Sequence, residues 1–309
     1  MTKPKLSFWQ IWNLSFGFLG VQIGYSLQNS NTSSIFESLG ADVSHLSYFW
    51  LAAPLAGMIV QPIVGLFSDG TWTRWGRRIP YILGGSLISA LALVLMPNCP
   101  KLLAFAPLAM GAFILLFMDL SFNVTMQPFR ALVADMLDDS QKTQGYVVQT
   151  FLINLGAVVG AILPLVMTWL GVSDEAAPGH VSPHIAYSYY AGGAILLLTV
   201  LVTSFKTREY PPGEFARYNN LSEEDAKPVS FVGLMRNVPG VMVRLGVTQF
   251  FSWAALFLMW TYLKPAITGV VTDHATGEVL SAGATQTWVG VLNGTYPIPV
   301  SYTHLRAHE

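Results

Sequence analysis

Charge is scarce in this chain: only 11% of its 309 residues are Asp, Glu, Lys or Arg, against about 25% in an ordinary soluble domain. A single cysteine, Cys99, rules out an intrachain disulfide and leaves the redox compartment open. The apolar segments carry no HExxH, no GxSxG and no His/Cys cluster, so metalloprotease and serine-hydrolase chemistry is excluded and no enzyme is expected. A net charge of −1 comes with no basic patch outside the loops, and no nucleic-acid partner is expected. A cleavable leader is not expected either. The first apolar run is of full spanning length and has no clear small-residue cleavage site.

What the chain does have is apolar length. Hydrophobic residues make up 52% of it and its mean hydropathy is +0.48. A membrane span needs roughly 20 predominantly apolar residues. Seven stretches qualify, over residues 7–28, 46–67, 79–97, 104–130, 145–170, 185–205 and 238–265, and an eighth starts near Thr285. With the N-terminus in the cytoplasm, the inner segments hold Lys3, Lys5, Arg74, Arg77, Arg78, Lys142, Lys206, Arg208, Arg217, Lys227 and Arg236, while the outer connections hold Lys101 alone. Positive charge stays inside, so this orientation is expected. The chain reads as an all-α polytopic membrane protein.

Six spans, a polar stretch and further spans divide the chain into a six-helix bundle (1–205), a cytoplasmic linker (206–237) with Pro211, Pro212, Glu223, Glu224 and Asp225, and the start of a second bundle (238–299). Residues 300–309, VSYTHLRAHE, show no helical pattern and resemble the translated end of a sequencing-library adaptor. His304, Arg306 and His308 are then expected to carry no function, and the natural protein to continue past the eighth helix, so that the chain is truncated. His180 and His184 lie in an outer Gly/Pro/Asp-rich loop; their spacing suggests a metal pair, but Pro183 argues against a helix aiming both at one ion. Solvated loop histidines are expected, and no metal.

The fourth span, FMDLSFNVTMQPFRALVAD over 117–135, is the unusual one. At about 100° per residue, Asp119, Asn123, Gln127 and Arg130 fall at about 0°, 40°, 80° and 20°, on one face. An acid in mid-membrane costs about 2.5–3.5 kcal/mol, so Asp119 is kept either by a structural ion pair, with an arginine elsewhere in the bundle, or by function. A carboxyl beside a solute cavity can couple a proton to binding, because desolvation and solute contact both change its proton affinity. The first span offers Gln22, Tyr25 and Asn29, the fifth Gln149 and Asn154, and the seventh Gln249, Trp253 and Trp260. Amides donate and accept together and indole faces stack on sugar C–H surfaces. Membrane helices also use Gln and Asn to bind one another and Trp as interfacial anchors; three striped helices favour a polar cavity.

Between the second and third spans lies GLFSDGTWTRWGRRIPYI, residues 65–82, an acid followed by three arginines. This turn resembles the signature loop of the major facilitator superfamily. RWGRRIPYI, the string Asp119, Asn123, Gln127, Pro128 and Arg130, and RALVAD over 130–135 are similar to the plant sucrose transporters, the animal proton-associated sugar transporters and their bacterial relatives in the glycoside–pentoside–hexuronide:cation symporter group. QNSNTSSIFESLGAD and WVGVLNG fit the bacterial members, and the resemblance covers residues 7–299. Six residues separate Asp69 from Gly76, a longer spacing than the superfamily's usual one and fitting the sucrose-type branch.

The resemblance implies a 12-helix major facilitator fold, here truncated, and a proton-coupled carrier of a disaccharide or α-glucoside, monomeric, with no cofactor beyond the coupling proton. It assigns the coupling acid to Asp119. Arg130 lies roughly 16 Å along its helix from Asp119, level with the Asp69 loop. Arg130 and Asp135 are therefore expected to pair with Asp69, Gly76, Arg77 and Arg78 as a cytoplasmic gate rather than to bind solute. An uncoupled facilitator, an efflux carrier and a non-transporting membrane sensor are the competing readings.

Overall fold

The computed structural model describes residues 3–42, 52–177, 179–219, 238–268, 270, 272 and 277–295. Eight long helices run through these residues: α1 (Phe8–Ser38), α2 (Ala52–Gly70), α3 (Ile79–Leu95), α4 (Pro107–Met136), α5 (Lys142–Trp169), α6 (Pro183–Lys206), α7 (Gly240–Ile267) and α8 (Ala282–Thr295). Prolines open α3, α4 and α6 at their first turns, where the missing N–H has no intrahelical partner to lose. Ser7 caps α1, accepting from the Gln10 amide while the Gln10 side chain reaches back to the Ser7 N–H.

Five segments of the described residues are long and apolar enough to cross a membrane: Ile79–Leu102, Pro107–Met136, Asp139–Trp169, Pro183–Lys206 and Gly240–Ile267. The first and second expected spans need a different account. Helix α1 continues ten residues past the expected end at 28, through NSNTSSIFES. That polar half stays helical because its side chains find partners inside the protein: Asn31 Nδ2 donates to the Leu27 carbonyl and Thr32 meets the Tyr189 hydroxyl at 3.3 Å. Part of the second expected span, 46–51, and residues 220–237 and 300–309, on which readings of the linker and tail fall, lie outside the described residues.

Packing follows the membrane pattern of apolar exterior and mixed interior. Leu87, Leu91, Phe113, Leu198 and Phe205 are exposed, whereas Ser15, Ser86, Ser89, Ser121, Thr125 and Thr203 are buried. Helix α1 is central: it lies along α5 and α6 and touches α4, while α3 lies along α4 and α6 and α2 along α4. Phe18 stacks on Phe129 at 5.3 Å, joining α1 to α4. Thr203 of α6 accepts from the Gly17 amide at 2.7 Å and donates to the Asn13 carbonyl at 2.8 Å. Such small and hydroxyl residues hold membrane helices where no hydrophobic force separates them from lipid.

The α1–α5 contact depends on Gly156 and Gly160. A Cβ at either site would lie 2.5 Å from a main-chain oxygen, that of Leu19 or Ile23 respectively. Backbone cannot yield as a side-chain tip can, so Gly156→Val and Gly160→Val are each expected to cost about 1–3 kcal/mol. Gly84 has nothing within 4 Å of its Cβ position, and Gly84→Val serves as the neutral control. Thermal unfolding in detergent, followed by tryptophan fluorescence, separates the two classes; equal melting temperatures would contradict this packing.

Candidate functional site

Two polar centres occupy different depths of the bundle. The first is built on Asp119, which lies roughly 18 Å along α4 from Pro107 at 1.5 Å per residue and is 3% exposed. Its Oδ1 accepts a hydrogen bond from Gln28 Nε2 of α1, and its Oδ2 is buried without a partner among the described residues. No ion pair reaches it among the described residues, so the expected arginine is replaced by a neutral amide. The turn below extends the polar track. Asn123 donates to the Asp119 carbonyl at 2.8 Å, and its Oδ1 accepts from Gln61 Nε2 of α2 at 2.6 Å. Helices α1, α2 and α4 thus meet through one acid and three amides.

Of the other sequence candidates, Gln22, Tyr25 and Asn29 are half-buried on α1, and Tyr25 meets Phe122 of α4 edge-on at 5.7 Å. Gln127 is half-buried on α4. Gln149 is buried but its amide donates to the Phe129 carbonyl at 3.2 Å, and Asn154 donates to the Thr150 carbonyl of its own helix at 2.9 Å. Both are engaged in packing. The α7 stripe does not join the others: Gln249 is exposed and Trp253 is 56% exposed, because the first turns of α7 have no described helix packed over them. The Trp260 side chain lies outside the described residues.

The second centre is the arginine turn. It brings together Asp69, Arg77, Arg78 and Asp135, as the sequence leads one to expect. Arg78 is 5% exposed and reaches Asp69 Oδ1 at 2.5 Å, Asp135 Oδ2 at 2.9 Å and Ser68 Oγ at 2.5 Å. Arg77 shares Asp135 Oδ2 at 2.5 Å and lies 4.1 Å over the Phe215 ring. The planar guanidinium fork suits several oxygens at once. Gly76 holds φ at +110°, a left-handed conformation that costs little only for glycine. Arg130 corrects the expectation: it is exposed and makes no ion pair among the described residues. At about 100° per residue it points away from the α4 face that carries Asp135.

Sequence reading missed the anion that organises this turn. The Glu209 carboxylate, in the segment leaving α6, accepts from the backbone N–H groups of Arg77 (3.0 Å), Arg78 (2.8 Å) and Ile79 (2.9 Å) at the start of α3. Free amides at a helix N-terminus favour an anion, but in the sequence Glu209 is one acid of a polar linker. Gln28 was missed because it falls off the stripe of Gln22, Tyr25 and Asn29. His184 needs correction too: Pro183 opens α6, and the histidine is fully buried in that first turn, not solvated in a loop. His180 does lie exposed in the loop.

Burial pushes the Glu209 carboxyl above the ordinary glutamate range, nearby Asp135 pushes the same way, and the three amide bonds pull against them. The folded chain therefore keeps this proton to higher pH than the unfolded chain. Its contribution to stability is complete below about pH 4.3, the unfolded glutamate value, and is lost as pH rises through the raised value. The Glu209 part of the pH dependence of the melting temperature is expected to fall as pH rises, and Glu209→Gln is expected to remove that component. An unchanged slope in the variant would contradict the assignment.

A helical bundle with lipid-facing apolar surfaces and a buried, uncompensated acid defines a multi-pass integral membrane protein. The chain belongs to the MFS/sugar transport protein family, whose profile it matches over residues 35–278. Sucrose transport protein SUT1 of Oryza sativa subsp. japonica is 27% identical over 267 residues, covering 77% of this chain and 49% of the relative. General alpha-glucoside permease of Schizosaccharomyces pombe is 25% identical over 283 residues, covering 85% of this chain and 48% of the relative. Sucrose transport protein SUC3 of Arabidopsis thaliana is 31% identical over 157 residues, covering 46% and 26%. The chain spans about half the length of the first two. These relatives are transporters, not enzymes.

Proposed function

We propose that the protein is a secondary active transporter that moves a disaccharide or α-glucoside of the sucrose or maltose type together with a proton. The observation that carries this reading is Asp119: a mid-membrane carboxyl held by one glutamine, with a buried, unpartnered oxygen and no counter-ion among the described residues. A proton on Oδ2 removes the charge without disturbing the Gln28 bond. Gln61 and Asn123 extend the same track toward α2 and suit solute hydroxyls, which donate and accept as amides do. The family and the sucrose and α-glucoside carriers among the relatives support the substrate class.

In this account the carrier works as a monomer in a bacterial inner membrane, with its N-terminus in the cytoplasm. The α1–α6 bundle rocks against a second bundle about a central site, and the Asp69–Arg77–Arg78–Asp135 network ties the cytoplasmic ends of α2, α3 and α4 into one body that moves together. Half-buried Gln22, Tyr25 and Asn29 of α1 and Gln127 of α4 face solute on the first-bundle side. The test is sugar-evoked proton movement in proteoliposomes containing the reconstituted carrier. Sucrose or maltose added outside should acidify the lumen with no imposed gradient. Sugar uptake without proton movement indicates a facilitator, and binding without either indicates a sensor.

A further inference from the structure

The second half of α1 is polar on the side that meets the second bundle. Ser30, Ser34 and Glu37 lie within about 60° of one another around the helix, with Asn31 beside them. Lys264 of α7 donates to Ser34 Oγ at 2.9 Å and pairs with Glu37 Oε2 at 2.5 Å. Gln286 of α8 donates from Nε2 to the Ser30 carbonyl at 2.7 Å and to Asn31 Oδ1 at 2.9 Å. Asn293, two turns further along α8, donates to Ser30 Oγ at 3.3 Å. All five bonds land between Ser30 and Glu37. Alongside them α8 closes on α5, where a Cβ on Gly290 would lie 2.6 Å from the Ala161 carbonyl oxygen.

This contact is confined to one end of the molecule, away from the arginine turn. Thr261 and Lys264, near the far end of α7, are 3% and 8% exposed, whereas Val241, Leu245 and Phe250 in its first half are 67%, 59% and 68% exposed. Among the described residues the two bundles are therefore joined at the Glu37 end and stand apart toward the arginine turn. The chemistry of the join suits a contact that has to part. Drawing Lys264 and Glu37 out of water costs free energy that offsets their attraction, so the joined state is held by a small margin and both charges regain water when it opens. Deleting one partner leaves the other unpaired in the joined state alone.

We propose that the Ser30–Glu37 face of α1 is the docking surface for the second bundle, and that the Glu37–Lys264 pair is a latch whose rupture opens this end of the molecule. The place of the latch in a transport cycle rests on the reading of the protein as a two-bundle carrier. Cysteines at Ala177 and Val279, both exposed and outside the latch, carry spin labels on the α5–α6 and α7–α8 connections, while native Cys99 is fully buried. Double electron–electron resonance on the reconstituted carrier, without sugar or a proton gradient, then reads how far apart the bundles stand at this end. One dominant short distance is expected for the native latch. Glu37→Gln is expected to raise the ratio of long to short distances at least tenfold, equivalent to about 1.4 kcal/mol. Lys264→Met keeps the packing of the lysine stem and is expected to act in the same direction, so the test stands if the glutamine variant folds poorly. The reversed pair, Glu37→Lys with Lys264→Glu, is expected to return the ratio to near its native value, which a packing role alone would not do.

A dominant long distance in the native carrier, or the same distances in native, Glu37→Gln and Lys264→Met carriers, would overturn the latch and leave the sugar reading untouched. A shift in both single variants that the reversed pair does not correct would overturn the ion pair as its cause. A shift that the reversed pair corrects, in a carrier whose native form shows no sugar-evoked proton movement, would support the latch and overturn the coupled-transport reading alone.

Discussion

Asp119→Asn is expected to abolish sugar accumulation against a gradient while leaving sugar exchange across the membrane intact. Asparagine keeps the size of the side chain and can still accept from Gln28 through its carbonyl oxygen, so the α1–α4 contact survives. What it loses is the ability to take up and release a proton. One charge crossing a 100 mV potential is worth about 2.3 kcal/mol, which supports roughly 50-fold accumulation at one proton per sugar, since each 1.4 kcal/mol is tenfold. In the variant the internal and external concentrations should equalise. Uptake of radiolabelled sugar into energised vesicles, beside counterflow in de-energised ones, reads the two activities separately. Undiminished accumulation would remove Asp119 from the coupling mechanism. Gln28→Leu provides a second arm: it leaves Asp119 without its one hydrogen-bond partner and should disturb coupling with no change in any ionisable group.

Arg78→Ala is expected to be the most destabilising single change in the arginine turn. The guanidinium is buried and ties together Asp69, Asp135 and Ser68. Its removal leaves Asp135 sharing Arg77 alone and strands Ser68. Asp69 is largely exposed and Asp135 keeps Arg77, so the cost is that of lost charged hydrogen bonds, about 1.5–3 kcal/mol. Arg78→Lys should recover part of this at most, because an ammonium is a point charge and cannot serve three oxygens in three directions. Arg130→Ala is the contrast. That residue is exposed and without an ion pair among the described residues, and substitution there should stay within about 0.5 kcal/mol. Thermal unfolding of the three variants tests the ranking, and a large loss at Arg130 would contradict the geometry described here.

Legibility from the sequence followed the kind of signal each element carries. The five long apolar helices were readable because apolar length is a local property, and the arginine turn because its charges stand out against lipid-facing sequence. Asp135, at the end of the same polar span, does meet that turn through Arg77 and Arg78. Arg130 was misplaced by its count along the helix: axial rise gives depth but does not say which neighbour a side chain faces. The polar half of α1 was cut short because its support comes from α4, α6 and α8, and α8 lies about 250 residues away along the chain. Glu209 and Gln28 show the same limit. Each is an ordinary polar residue in its own segment and acquires a role only when packing places it beside free amides or a buried acid. The α7 stripe shows the converse, since Gln249 and Trp253 have suitable chemistry for a cavity wall yet lie exposed among the described residues.

The central claim is that sugar and proton move together through a path that includes Asp119. The most direct measurement is the luminal pH of proteoliposomes holding the reconstituted carrier, recorded with an entrapped dye as sucrose or maltose is added outside. The account predicts prompt luminal acidification with the native carrier, none with Asp119→Asn, and equal sugar exchange in both. Sugar entry by the native carrier with no change in luminal pH, or equal acidification by the asparagine variant, would contradict it.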